Sequence, residues 1–233
     1  MDQGIKSWWA EFLGTFTLCF VGQGAILAQR MAAPLESGLL AIAVAHGLAL
    51  AVMISALGGL SGGHFNPAVT FGFLVTGRQT AISAVAYWVS QLLGAVVASL
   101  ALVTVFPDDV WRAASLGAAA VNPGLTDFGA VIVEFILTFL LVSAVWGTAV
   151  DERRPMIGGF GIGLAVTMDI LIGGPLTGAA MNPARAFGPA VVAGYWPSHW
   201  VYWVGPLLGG GAAASVYHRF ALPRPAWEPE TRP

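Results

Sequence analysis

Charge is what this sequence has least of. Of its 233 residues 9% are charged and 57% hydrophobic, where soluble domains carry roughly a quarter charged residues. Such a chain is built for a membrane. Lysine is nearly missing: Lys6 is the only one, so there is no Walker lysine or Schiff-base lysine, and no nucleophile–base motif stands elsewhere. An enzyme is not expected. The single cysteine, Cys19, forbids an intrachain disulfide and fits no metal-ligand spacing, so neither a metal nor a cofactor is anticipated. A net charge of -2 with scattered basic residues leaves no electrostatic footprint for nucleic acid. No glycosylation sequon occurs, and the brief loops lean toward a bacterial inner membrane. The opening MDQGIKSWWAEF offers no small-residue cleavage site, so its apolar run is expected to be a permanent span.

What is abundant is long apolar sequence. A hydrocarbon core of ~30 Å takes about 20 helical residues, and six stretches come near that length: 8–27, 39–57, 81–106, 128–149, 156–172 and 200–217. An even number puts both termini on one side. Lys6, Arg78, Arg153, Arg154, Arg219, Arg224 and Arg232 fall together against Arg30 and Arg112, which makes that side cytoplasmic. Trp8, Trp9, Trp196, Trp200, Tyr202 and Trp203, near span ends, suit interfacial anchoring. The proline-rich tail at 221–233 reads as disordered and cytoplasmic.

Two shorter stretches, NPAVTFGFLV from Asn66 and NPARAFGPAVV from Asn182, follow the second and fifth spans. As helices of about ten residues each reaches ~15 Å, half the membrane. Irregular backbone at that depth survives only where protein or a water-filled cavity surrounds it, so the lead-ins GGLSGGHF and GGPLTGAAM imply an enclosed pore. The order span, span, half-span, span occurs twice, at about 5–106 and 127–220, and AEFLGTFTL resembles VEFILTFLL at the start of each copy. Three crossings per copy is odd, so the second copy is inverted and the half-spans meet near the midplane. The fold expected is an all-α membrane protein, with six transmembrane helices and two half-helices in one channel domain.

Asparagine favours the N-cap and proline the first helical position. If the Asn66 and Asn182 side-chain oxygens cap their own helices, their amide nitrogens can donate into the lumen beside two positive helix ends. A water held oxygen-first there cannot donate along the file, which breaks a proton wire, and cations lose solvation. Asn122-Pro123-Gly124, in a long polar loop, lacks the glycine-rich approach and the repeat symmetry and reads as a plain turn.

SGGHFNPAV, MNPARAFGPAV, the paired Glu11 and Glu134 and the six-plus-two layout resemble the aquaporin family over nearly the whole chain. The resemblance implies a homotetramer with a pore in each subunit. Its conserved boxes would be Asn66, Pro67, Ala68 and Asn182, Pro183, Ala184, with single-file passage past the carbonyls of Gly62, Gly63, His64, Gly178, Ala179 and Ala180. It also implies a four-residue selectivity constriction, found by counting from the boxes: His46, Ile170, Ala179 and Arg185. Water-selective members carry phenylalanine, histidine, a small residue and arginine there. The set here resembles the ammonia-permeable branch, the aquaporin-8 type and certain plant tonoplast intrinsic proteins. Wider stretches such as AHGLAL and VTMDILIGGP agree with the aquaporin-8 type.

His46 and Arg185 would give polar donors, and Ile170 and Ala179 an apolar wall. The solutes expected are water, ammonia and hydrogen peroxide, all small and neutral. Cations would be repelled by Arg185. Glycerol is disfavoured by Ala186, where glycerol facilitators usually have aspartate. Membrane-embedded carboxylates are costly unless partnered. Glu11 and Glu134 are read as braces for lead-in amides, with a proton relay as the rival. Asp169 is read as a packing or loop-bracing group, His64 as holding its loop, and Gly94, Gly158, Gly161 and Gly163 as permitting close helix contact. The competing functions are a proton-coupled secondary transporter, which also uses inverted repeats and buried carboxylates, and a strictly water-selective channel. A membrane adhesion or signalling role ranks last, because the loops are short.

Overall fold

The computed structural model describes residues 3–32, 38–153, 155 and 157–222. Arg154, Arg224, Arg232 and the tail from 223 onward lie outside the described residues. Among the described residues every regular element is helical: α1 (Gln3–Met31), α2 (Gly38–Ser61), α3 (Pro67–Val75), α4 (Ala81–Val105), α5 (Asp108–Ala113), α6 (Asp127–Val145), α7 (Phe160–Thr177), α8 (Pro183–Ala193) and α9 (Val201–Val216). Helices α6 and α9 run on into wider turns at Trp146–Val150 and Tyr217–Ala221. Among the described residues five helices, α1, α2, α4, α6 with its extension and α7, are long and apolar enough to cross a membrane, and α9 with its extension runs over 201–221. Helices α3 and α8, of 9 and 11 residues, reach ~14 and ~17 Å, about half of a bilayer core.

The long helices are apolar nearly all round. Leu48, Val52, Ile82 and Val85 are more than half exposed, a face that suits lipid, whereas the inward faces mix Ala, Gly, Ser and Thr with leucines and a few polar side chains. Small inward residues let helices approach closely, the packing that replaces hydrophobic burial inside a membrane. Helix α2 crosses α7 at Gly47 and Gly163, where a Cβ on either would run into the other's carbonyl. Gly94 serves α4 in the same way against Phe12 of α1. Gly158 departs from that expectation: it sits in the turn before α7 with φ +57°.

The halves interlock. Helix α1 packs on α2 and α4, and α6 correspondingly on α7 and α9, while α3 lies against α9 and α8 against α4, each half-helix being clasped by the other half of the chain. Both lead-ins are shorter than the glycines suggested. Helix α2 continues through Gly58-Gly59 to Ser61, and α7 through Gly173-Gly174-Pro175 to Thr177. The irregular backbone is confined to residues 62–65 and 178–181, opening at Gly62 (φ +90°) and Gly178 (φ +79°). Backbone bonds cannot be satisfied by lipid, so the helix persists until a left-handed residue ends it.

These close crossings make a test. Gly163→Leu should cost about 1–3 kcal/mol by overpacking and lower the thermal midpoint in detergent. Gly59→Ala, whose Cβ would meet nothing within 4 Å, should raise it by up to roughly 1 kcal/mol of helix propensity. A fluorescence melt of both variants reads the opposite signs.

Candidate functional site

Each lead-in is organised by a buried glutamate. Glu11 Oε1 accepts from the Ser61 hydroxyl at 2.7 Å and the His64 amide at 2.9 Å, and Oε2 from the Phe65 amide and the Gln91 side chain, both at 2.7 Å. In the second half Glu134 Oε1 accepts from Thr177 at 2.7 Å and the Ala180 amide at 2.9 Å, and Oε2 from the Met181 amide at 2.7 Å. Both carboxylates are fully buried, and each of these partners is a donor, so the two groups hold lead-in backbone from behind. Thr15 and Thr138 match as well, each returning its hydroxyl to the carbonyl of its glutamate. Tyr87 and Tyr202 donate to the Ser61 and Thr177 carbonyls at 2.7 and 2.9 Å. Tyr202, 1% exposed, is therefore a brace and not the interfacial anchor expected from its place near a span end.

The asparagines cap their helices. Asn66 Oδ1 accepts from the Ala68 amide at 2.8 Å, and Asn182 Oδ1 from Ala184 at 3.0 Å and Arg185 at 3.2 Å. Pro67 and Pro183 stand at the first helical position, where no amide hydrogen is required. The amide nitrogens differ from expectation. Asn66 Nδ2 donates to the Met181 carbonyl at 2.9 Å and Asn182 Nδ2 to the Phe65 carbonyl at 2.8 Å. One hydrogen of each therefore joins the two lead-ins, and only the second is left for the lumen. Asn122 behaves as the turn residue anticipated: its Oδ1 accepts from Gly124, and its Nδ2 donates to the Pro175 carbonyl.

Between the lead-ins runs a cavity, and His46, Ile170, Ala179 and Arg185 all line it, with Gly63, His64, Ala180, Asn66 and Asn182. Leu18, Leu50, Leu141 and Val166 supply an apolar wall. Gly62 and Gly178, which open the lead-ins, are not among the residues around this cavity. Arg185 Nη2 donates to Gly178 O at 3.2 Å and Nη1 to Ala179 O at 3.1 Å, so both oxygens are engaged by the guanidinium. Arg185 Nε keeps no protein partner.

His46 is fully buried, and its Nδ1 lies 2.8 Å from the Ile42 carbonyl. A carbonyl can only accept, so Nδ1 carries hydrogen, and Nε2, without a protein partner, is an acceptor in the neutral ring. Gly22 of α1 makes room for that ring: a Cβ there would overlap Nε2. His64 packs on Phe73 at 4.2 Å between ring centres, with its Nδ1 3.1 Å from the Thr70 hydroxyl. Its ring is held by packing and that contact. Asp169 is fully buried but braces no loop, since neither oxygen has a protein partner among the described residues; it points away from the cavity that its neighbour Ile170 lines.

Ser61, Thr177, Tyr87, Gln91 and Gln23 join the site without being expected there from the sequence. The first two were findable, because they stand at equal distances before Asn66 and Asn182. Gln23 and Gln91 had no such mark.

Two outcomes follow. Glu134→Ala orphans two buried amides and a hydroxyl, each worth roughly 1–3 kcal/mol, so the detergent melting midpoint should fall steeply, with Glu134→Gln between it and wild type. In the loop before α9, burial lowers the His199 pKa below the ordinary range, and its Nε2 accepts from Trp203 Nε1 at 3.2 Å. The unfolded chain therefore binds this proton first, at about pH 6.5. Stability from this site is complete above that pH and declines as pH falls through it, and His199→Gln should flatten the midpoint-versus-pH curve between pH 7.5 and 5.

The model of the major intrinsic protein family matches residues 2–217. Similar chains include a probable aquaporin TIP3-2 of Arabidopsis thaliana, 44% identical over 94% of this chain and 85% of its own length, and aquaporin TIP1-2 of Zea mays, 46% identical over 89% and 83%. The X-ray structure of the aquaglyceroporin from Plasmodium falciparum superposes with a TM-score of 0.82 at 26% identity, over 93% of this chain and 96% of that one. TIP-type relatives point to a branch other than the aquaporin-8 type that the wider stretches suggested, and their plant origin tells against a bacterial inner membrane. With that match over nearly its full length, the chain belongs to the major intrinsic protein family: it is an aquaporin-type, multi-pass membrane channel and not an enzyme.

Proposed function

We propose that this channel passes water and ammonia, with hydrogen peroxide as a further small neutral solute, and excludes protons and ions. One observation carries the reading. The cavity is lined by two polar side chains, His46 and Arg185, and by two apolar ones, Ile170 and Ala179, and one nitrogen of each polar side chain, His46 Nε2 and Arg185 Nε, has no protein partner. An acceptor and a donor serve any small dipole that can both give and take a hydrogen bond. A fixed guanidinium and the positive ends of α3 and α8 disfavour cations. The second amide hydrogens of Asn66 and Asn182 orient a water oxygen-first at the centre, which interrupts proton hopping. Ala186 follows Arg185, and glycerol is not a substrate in this reading.

The two repeats, about 5–106 and 127–220, form a single channel domain, and the apolar outer faces serve lipid and sister subunits of a homotetramer. Both termini are cytoplasmic, on the side of Lys6, Arg78, Arg153 and Arg219.

The partnerless oxygens of Asp169 favour one rival, a proton-coupled transporter using that carboxyl as its carrier. Stopped-flow measurements on proteoliposomes separate the readings. A channel gives fast osmotic shrinkage, unsaturated ammonia entry seen as internal alkalinisation, indifference to protonophores, and unchanged fluxes in Asp169→Asn. Saturation, or loss of flux in Asp169→Asn, would favour the transporter. Water flux without ammonia flux would leave a strict water channel. In the double variant His46→Phe with Ile170→His, ammonia entry should fall several-fold while water flux persists; equal ammonia entry would sink the role given to these two side chains.

A further inference from the structure

Helix α8 carries a proline in its interior, Pro189. A proline offers no amide hydrogen, so the carbonyl four residues earlier is left without its helical donor. That residue is Arg185. The missing donor comes from elsewhere in the chain: Gln23 Nε2, on α1, donates to Arg185 O at 3.3 Å. Gln23 is 1% exposed, and its Oε1 in turn accepts from the Ser99 hydroxyl of α4 at 3.2 Å. One carboxamide thereby ties the first turn of α8 to α1 and α4. An intrahelical bond would have run along the α8 axis. This one runs across it and fixes where the turn bearing the guanidinium sits.

The other half of the molecule shows what happens without the proline. Counting on from Glu134 as Gln23 lies from Glu11 reaches Trp146, and counting on from Asn66 as Pro189 lies from Asn182 reaches Phe73. These two matching positions also touch, ring against ring at 4.7 Å between centres. Phe73 has an amide hydrogen, and its partner helix offers an indole in place of a carboxamide. Glutamine and proline occur together where α1 meets α8, the half-helix of Arg185, and neither stands at the matching positions, Trp146 and Phe73, beside α3, the half-helix of Val69.

We propose that Gln23 is a positioning residue for Arg185: it replaces the donor that Pro189 withholds, and so keeps the guanidinium fixed against the Gly178 and Ala179 carbonyls at the constriction. This rests on the reading of Arg185 as part of the selectivity constriction. Gly22, the preceding residue, leaves the space that the His46 ring fills, so adjacent residues of one helix set both polar members of the constriction.

The test is the ratio of urea to water permeability in proteoliposomes, which a loss of folded protein alone would not move. Gln23→Leu should raise the ratio several-fold by freeing the arginine. Pro189→Ala restores a backbone donor to the Arg185 carbonyl, so Gln23→Leu with Pro189→Ala should return the ratio to that of Pro189→Ala alone. Arg185→Val should raise it in either background. An unchanged ratio in Gln23→Leu beside a raised one in Arg185→Val overturns the role of Gln23 and leaves the constriction standing. An unchanged ratio in Arg185→Val overturns the constriction reading, and this inference with it. Should Gln23→Leu alone fail to fold, the double variant decides: folding with the Pro189→Ala ratio supports the proposal, and failure to fold, or a raised ratio, overturns it.

Discussion

Two carboxylates buried between helices hold the two segments whose backbone leaves helical form at the depth of the half-helix tips. A bilayer interior offers no water to satisfy an open amide, and residues 62–65 and 178–181 leave amides open at mid-depth. Glu11 and Glu134 accept from them, and the ionised oxygens gain donors that offset their own burial. Neither partner is tolerable at that depth alone. Carboxylate and lead-in therefore stabilise one another, and everything at the constriction is positioned by that mutual requirement.

From this brace the cavity follows. The lead-ins, fixed from behind, present Phe65 and Met181 carbonyls to the opposite asparagine, so the two half-helices are joined at their tips as well as clasped at their sides. Arg185 is then held from two directions: its guanidinium by the carbonyls of its own lead-in, its backbone by α1. The buried charge has no carboxylate salt bridge among the described residues and relies on carbonyl dipoles, with its Nε left without a protein partner. Along the rest of the cavity the wall is largely apolar, so the few polar atoms decide what is bound there.

Legibility in the sequence followed length and symmetry. Six spans and two half-spans were readable because hydrocarbon thickness converts directly to residue count, and the second and fifth spans were drawn short at their C-terminal ends, where α2 and α7 continue through Gly58-Gly59 and Gly173-Gly174-Pro175. Glu11 and Glu134 were readable because each occurs in matching sequence. Tyr202 was misread, since proximity to a span end does not reveal which way a ring points. Gln23 carried no signal: its partner lies 162 residues away, and a lone polar residue in an apolar run looks the same whether bonded, as Gln23 is, or without a protein partner, as Asp169 is.

The sequence by itself determined that this chain crosses a membrane, how many times, where its helices start at Asn-Pro, and which residues repeat, because those properties depend on local composition and on spacing along one chain. Only the tertiary structure decided which carbonyls face the lumen and which are taken by Arg185, that the asparagine amides bond across to the opposite lead-in, and that α1 supplies the donor α8 lacks. Those are contacts between segments more than a hundred residues apart, or depend on the sense of a left-handed turn. Their geometry exists only once the two halves have interlocked.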